Sequence, residues 1–190
     1  MYQKFAAAER GIVAIEMAFI MPTILLLYFG LMDITGLVSA NRKITASASI
    51  TADLVGQQKT SIIKATIDDQ YNATAMIMSP TDITKVRVEV FGYRKVSGAA
   101  AKIWHTSNNN GPACSATDPD TTNMLTLMAA GNDLIVVRSC MTFTPYVTTF
   151  FGNVLLGSTS FLVKQTISVR PRSSLDITCY TTSAKDVVCT

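Results

Sequence analysis

The chain has 190 residues, with 16 Lys and Arg against 13 Asp and Glu, one His, and a formal net charge of +3. Charged residues make up 15% and apolar ones 48%, with a mean hydropathy of +0.31, which is poor in charge for a wholly soluble domain and points to a membrane segment. The small, scattered positive charge, with no basic run and no RNA-type aromatic motif, excludes nucleic-acid binding by electrostatics.

A short leader carrying Lys4, Glu9 and Arg10 ends at Gly11, and an apolar run begins directly after it. Met17 to Met32 holds no charge over 16 positions, and with Ile12 to Ile15 the run reaches 21 residues, interrupted only by Glu16. At about 1.5 Å per residue this length crosses a hydrocarbon core of roughly 30 Å, which predicts a spanning helix. Lys4 and Arg10 on the near side favour a cytoplasmic N-terminus, although Arg42 and Lys43 on the far side weaken that asymmetry. The residues beyond the span are then exported. Val38-Ser39-Ala40 also fits a small-residue cleavage rule, so a conventional signal peptide leaving Asn41 is one alternative. The apolar run is longer than the 7 to 15 residues of a signal-peptide core. An uncleaved anchor beginning at Met1 is the other alternative.

Glu16 is the unusual residue of the span. A carboxylate inside the membrane costs up to a few kcal/mol near the centre and less near the interface, so it is normally retained for a partner. The alternative is that Glu16, one turn inside, snorkels to the headgroups. Pro22 removes one backbone donor and is expected to kink the helix or loosen one bond. Gly30 and Gly36 either permit close helix approach or are tolerated glycines.

Asp33 to Val55 contains no Pro and is rich in Ala, Ile, Leu and Ser, so the helix is predicted to continue out of the membrane. From Ile12 to Val55 it would be about 66 Å long. Gly56 marks a break. Apolar residues from Ile62 to Met78 then recur at three and four (Ile63, Ile67, Tyr71, Thr74), predicting a second, amphipathic helix that stops before Pro80. After Pro80 the period becomes two: Val86, Val88 and Val90 alternate with Arg87 and Glu89, predicting a strand over 84–94. Further strands are expected over 101–106, 134–144 and 158–170. Between the first two of these, Ser107 to Thr122 is rich in Asn, Pro, Asp and Thr and reads as an irregular exposed insertion.

Cys114, Cys140, Cys179 and Cys189 are even in number and lack metal-ligand spacing, so two disulfides in an oxidising compartment are expected, and no metal site. Three pairings are possible. Closeness in sequence favours Cys179 with Cys189, which would hold the polar C-terminal tail in a loop. No cofactor and no catalytic residue are expected: His105, the single histidine, reads as a surface residue, and no nucleophile, zinc or phosphate-loop motif occurs. Asp68 and Asp69 read as helix surface, Asp118 and Asp120 as turn formers.

The order Gly11, Ile12, Val13, Ala14, Ile15, Glu16 resembles the processing site of type IV prepilins. That resemblance implies a membrane-embedded prepilin peptidase cutting between Gly11 and Ile12. It also implies that Glu16, at position five of the mature chain, pairs with the new amine of Ile12 on a neighbouring subunit. More narrowly, Gly11, Ala14, Glu16, Ala18, Pro22 and Gly30 are similar to the N-terminus of TadE-like proteins, minor pilins or pseudopilins of the tight-adherence (Flp, type IVc) pilus system. Met17 departs from the Phe common in that family. Ile50 to Gln57 and Asp133 to Gly152 also resemble it, with the likeness loosest between about Gly98 and Asn132.

The resemblance implies a role in pilus assembly, adhesion and colonisation. The implied partners are the prepilin peptidase, other minor and major pilins, the inner-membrane assembly platform and the lipid bilayer. The expected fold is α+β and pilin-like: a long N-terminal helix, a second helix and a mainly antiparallel sheet. The expected divisions are a leader (1–11), a transmembrane helix (12–32), its periplasmic extension (33–55) and a periplasmic α+β domain (56–190). The expected placement is the bacterial inner membrane, single pass, N-terminus cytoplasmic, with the product open to incorporation into the fibre.

Overall fold

The computed structural model describes residues 9–59, 61–128, 133–147, 160–172, 177–182 and 187–189. Helix α1 (Glu9–Gly56) is 48 residues long and contains Pro22. The chain divides into two units, Met1–Val38 with Thr144–Ser160, and Ser39–Phe143 with Phe161–Thr190. α1 contributes to both.

In the first unit the helix is apolar nearly all round, and apart from the half-buried Phe29 its large apolar side chains from Val13 to Val38 are exposed, Phe19 at 77% and Leu27 at 71%. In the second unit the pattern changes to a stripe. Ala40, Ile44, Ser47, Ala48, Thr51, Ala52 and Val55 are buried at spacings of three, four and one, which is one face of a 3.6-residue helix. Small residues dominate this stripe and let the helix lie close to the sheet.

The sheet has four antiparallel strands in the order β3-β2-β4-β5: β2 (Val86–Val96), β3 (Ala99–Ser107), β4 (Asp133–Phe143) and β5 (Phe161–Val169). Period-two alternation puts Val86, Val88, Val90, Ile135, Val137 and Met141 on the face covered by α1 and by α2 (Lys64–Met78), which adds Ile67, Tyr71 and Met78. The opposite face carries a smaller cluster of Phe91, Tyr93, Leu134 and Val136, closed by Met128 and by Met124 and Leu125 from a 3-10 turn at Thr122–Leu127. β2 and β3 are joined by Ser97 and Gly98, both at positive φ (52° and 87°), as a two-residue hairpin turn requires.

The fold is α+β, as expected, and the expected strands are found within one to three residues of their predicted ends. Ser158 and Thr159, at the start of the last one, lie outside the described residues. Two features differ. Ile62 and Ile63 are not the first turn of the second helix but a short strand, β1, pairing in parallel with β6 (Cys179–Tyr180) from the C-terminal tail. This partner is 117 residues away in register (Ile62 with Cys179), so local periodicity cannot reveal it. The insertion at 107–122 is not free of the sheet either: Asn108 donates from Nδ2 to the Val86 carbonyl (3.0 Å) and accepts from the Val88 amide (3.1 Å).

Candidate functional site

The predicted processing and assembly residues all lie on the first part of α1. The backbone at Gly11 and Ile12 is already helical, because the helix begins at Glu9. Glu16 follows one turn later and is exposed, and none of the ion pairs among the described residues involves it. Pro22 stands inside the helix, leaving the Ala18 carbonyl without its backbone donor. Around Gly30 a β-carbon would meet nothing within 4 Å. Thr23 and Thr35 return their hydroxyls to the helix: Thr23 Oγ1 donates to the Phe19 carbonyl (3.4 Å) and Thr35 Oγ1 to the Met32 carbonyl (2.9 Å). The segment therefore meets its surroundings as an almost purely apolar rod. It is long and apolar enough to cross a membrane, with mean hydropathy 1.9 and none of its most apolar window buried within the chain. So much contiguous apolar surface requires lipid or protein around it.

The apolar run ends at Asp33. Its carboxylate accepts the backbone N–H groups of Tyr146 (2.5 Å) and Val147 (2.9 Å), which belong to the same unit. These are charge-assisted bonds of the stronger kind. Nothing in the sequence reading pointed to Tyr146.

The four cysteines form two disulfides, Cys114–Cys140 and Cys179–Cys189, and no cysteine is free. The second is the pairing that closeness in sequence favoured. It closes the tail on itself while the tail is sewn to two parts of the domain: the Ile62 amide donates to the Thr178 carbonyl (2.9 Å), and the His105 amide to the Cys189 carbonyl (3.2 Å). The first disulfide ties the 107–122 insertion to β4, where Cys140 is the register partner of Arg87.

Beside that disulfide lies an ion-pair network that the sequence did not flag. Glu89 of β2 and Arg138 of β4 are register partners and both buried. Arg138 Nε donates to Glu89 Oε2 (2.8 Å), Arg87 Nε donates to Glu89 Oε1 (2.9 Å), and Arg138 Nη1 donates to the Thr117 carbonyl (2.8 Å). The Arg138 guanidinium also lies 5.1 Å from the centre of the Phe91 ring. The available clue was a charge in mid-strand on each of two apolar strands.

His105 is half-buried rather than a surface residue, with its ring stacked on Phe91 at 4.6 Å. Burial lowers its pKa, and Lys102 and Arg87 act in the same direction against Glu89 and Asp118. Asp118 pairs with Lys102 of β3 (2.6 Å) and so ties the insertion to the sheet, whereas Asp120 accepts from the Thr122 amide (2.9 Å) and serves the insertion's own turn. A cleft of about 360 Å³ between α2 and Ser107–Asn110 is lined by Lys64, Asp68 and Asn108 to Asn110, with Lys64 bonded to Asp68 at 2.7 Å. Ser107, the serine in its lining, donates its hydroxyl to the Asn109 side-chain carbonyl at 2.6 Å. Among the described residues no group of three or more His, Cys, Asp or Glu is placed to hold a metal ion.

No curated protein and no solved structure matches the chain. The family described as TadE-like protein matches residues 11–53, which takes in the Gly11–Glu16 motif, the apolar run and the small-residue stripe of α1 as far as Ala52. The later stretches that resemble the family, on β4 and after it, lie outside the matched residues. By that match residues 11–53, most of α1, are similar to the TadE-like family.

Proposed function

We propose that this protein is a minor pilin or pseudopilin of a tight-adherence pilus, with a structural and not a catalytic role. The observation that supports this most is the position of Gly11 and Glu16 at the head of an uncovered apolar helix, inside the segment that matches the TadE-like family. A prepilin peptidase cuts between Gly11 and Ile12 and removes the charged leader. The mature helix remains in the inner membrane through residues 12–32, with the N-terminus on the cytoplasmic side and the disulfide-bonded domain in the periplasm. Glu16 then pairs, in a low-dielectric site, with the Ile12 amine of a neighbouring pilin, which sets axial register. Pro22 loosens the helix nearly two turns farther on.

In this reading the partners are the peptidase, other minor and major pilins, the assembly platform and the bilayer. Gly11→Glu tests the processing step, because the peptidase must accommodate a small residue before the cut. The substituted chain is expected to accumulate at full length in the membrane. Mature protein of wild-type size and quantity would show that the cut lies elsewhere.

A further inference from the structure

We infer that the cleft between α2 and Ser107–Asn110 is a binding site for a neutral saccharide, with an N-acetylhexosamine as the best match. The cleft lies wholly within the second unit and owes nothing to the span or to Glu16. Its volume of about 360 Å³ is that of a small-ligand site. Lys64 and Asp68 are the charged groups of its lining, and they satisfy each other, with Lys64 Nζ 2.7 and 2.8 Å from the two Asp68 oxygens. A phosphate or a metal ion would have to break that pair and would then face a charge of its own sign. The rest of the polar lining is amide and hydroxyl: Asn72, Ser107, Asn108, Asn109 and Asn110. A side-chain amide carries a donor and an acceptor side by side, which suits a ring of hydroxyl groups that each donate and accept.

Two of these amides are uncommitted. Asn109 Oδ1 accepts from Ser107 Oγ (2.6 Å) and from Arg87 Nη2 (3.4 Å), and because a guanidinium only donates, the oxygen is fixed on that side and Nδ2 is left over. Among the described residues neither Asn109 Nδ2 nor the Asn72 amide has a hydrogen-bond partner. Asn108 ties the turn that presents Asn109 to β2, at the Val86 carbonyl and the Val88 amide, so the site is formed before a ligand arrives and loses little freedom on binding. The backbone amides of Asn108 and Asn110 are already bonded, to the Val88 carbonyl and to Asn108 Oδ1, which leaves an extended peptide little to pair with. Tyr71, Ala75 and Ile83 supply the apolar part of the lining. A sugar presents C–H as well as O–H groups, and the methyl of an acetamido group suits that patch while its carbonyl accepts from Asn109 Nδ2 or from Asn72.

The test titrates N-acetylglucosamine against the full chain in phosphatidylcholine nanodiscs, since sugar-headed detergents would compete. Saturation-transfer difference NMR is read after subtraction of empty discs, and transfer to the sugar should be strongest at its acetyl methyl. Asn72→Ala, at an exposed helix position, and Asn109→Gly, at a residue with φ of 55°, both suit their local backbone. The emission of Trp104, the single tryptophan, should therefore stay unchanged in both. The Kd for the sugar should rise about tenfold in each, as the loss of a hydrogen-bonding amide predicts. If N-acetylglucosamine shows no transfer above empty discs, the cleft is not a saccharide site and the inference is overturned. If either variant binds the sugar as tightly as the wild type does, the sugar sits elsewhere and the inference is overturned as well.

Discussion

Gly92 of β2 and Trp104 of β3 are register partners, and the indole lies so close over the glycine that a β-carbon at position 92 would stand far inside van der Waals contact distance of Nε1. The ring seated there reaches the C-terminal tail: Trp104 Nε1 donates to the Ile177 carbonyl at 2.8 Å. The Ile177 amide donates in turn to Asp133 Oδ2 at 2.7 Å, and Arg94 Nε donates to Asp133 Oδ1 at 2.7 Å. A missing side chain on one strand thus positions the group that fastens the tail to the sheet.

Gly92→Ala should therefore displace the indole and weaken the tail's attachment. Overpacking of this kind destabilises by about 1 to 3 kcal/mol. The single tryptophan reports it directly, through a red-shifted emission and a lower urea midpoint in the detergent-solubilised protein. An unchanged midpoint and spectrum would mean that the sheet yields at Gly92 without strain.

Glu89→Ala leaves Arg138 buried without its carboxylate. Breaking one side of a buried pair costs about 3 to 5 kcal/mol, whereas replacing both charges by apolar groups of similar size is far milder. Glu89→Ala should thus lower stability more than the double substitution Glu89→Leu with Arg138→Met. Equal midpoints for the two variants in chemical denaturation would show that the network is dispensable.

Non-reducing peptide mapping of the protein should recover Cys114 linked to Cys140 and Cys179 linked to Cys189, with no thiol open to alkylation. Replacing Cys114 and Cys140 together by Ser releases a loop closed over 26 residues, a loss of about 3.5 kcal/mol in the chain-entropy picture. Thiol labelling without reductant, or a different pairing in the map, would contradict the arrangement described.

Burial disfavours the charged form of His105, so its pKa is lower folded than unfolded. The unfolded state then binds more protons in the window below the ordinary histidine value, and stability falls as pH drops through that value and below it. Comparing urea midpoints between neutral and mildly acidic pH, His105→Gln should show a flatter profile than the wild type. Parallel profiles would place this part of the pH dependence on other groups.

Glu16→Ala separates assembly from anchoring. The substituted helix is more apolar and should still partition to the membrane. Processing should persist, because Gly11 and the leader are intact. Co-purification with other pilins, and surface pili where this subunit is needed, should be lost. A variant that is processed and assembles as the wild type does would assign Glu16 to the headgroup layer.

The sequence conveys the parts of this structure whose causes are local. The 3.6-residue and two-residue periods locate α1, α2 and the four long strands, and closeness in the chain pairs Cys179 with Cys189. What it does not convey is carried by contacts between distant residues. Ile62 and Ile63 read as helix because their strand partners, Cys179 and Tyr180, are far along the chain. Glu89 and Arg138 look like ordinary alternating polar positions until β2 and β4 are set in register and the insertion covers them. Asp33 reads as the polar end of a span, and only the fold brings the amides of Tyr146 and Val147 to it. The motif at Gly11–Glu16 is legible for the opposite reason: the processing and assembly proposed for it depend on order along the chain, not on contacts within the fold.

The most direct test of the account is the N-terminal residue of the protein recovered from membranes of the native host, determined by mass spectrometry of the intact chain and of its first peptide. The account predicts Ile12, with the leader through Gly11 removed and the Glu16 carboxylate at the fifth position. A chain beginning at Asn41 would make the apolar run a conventional signal peptide, and one beginning at Met1 a plain anchor; either result would contradict the pilin reading.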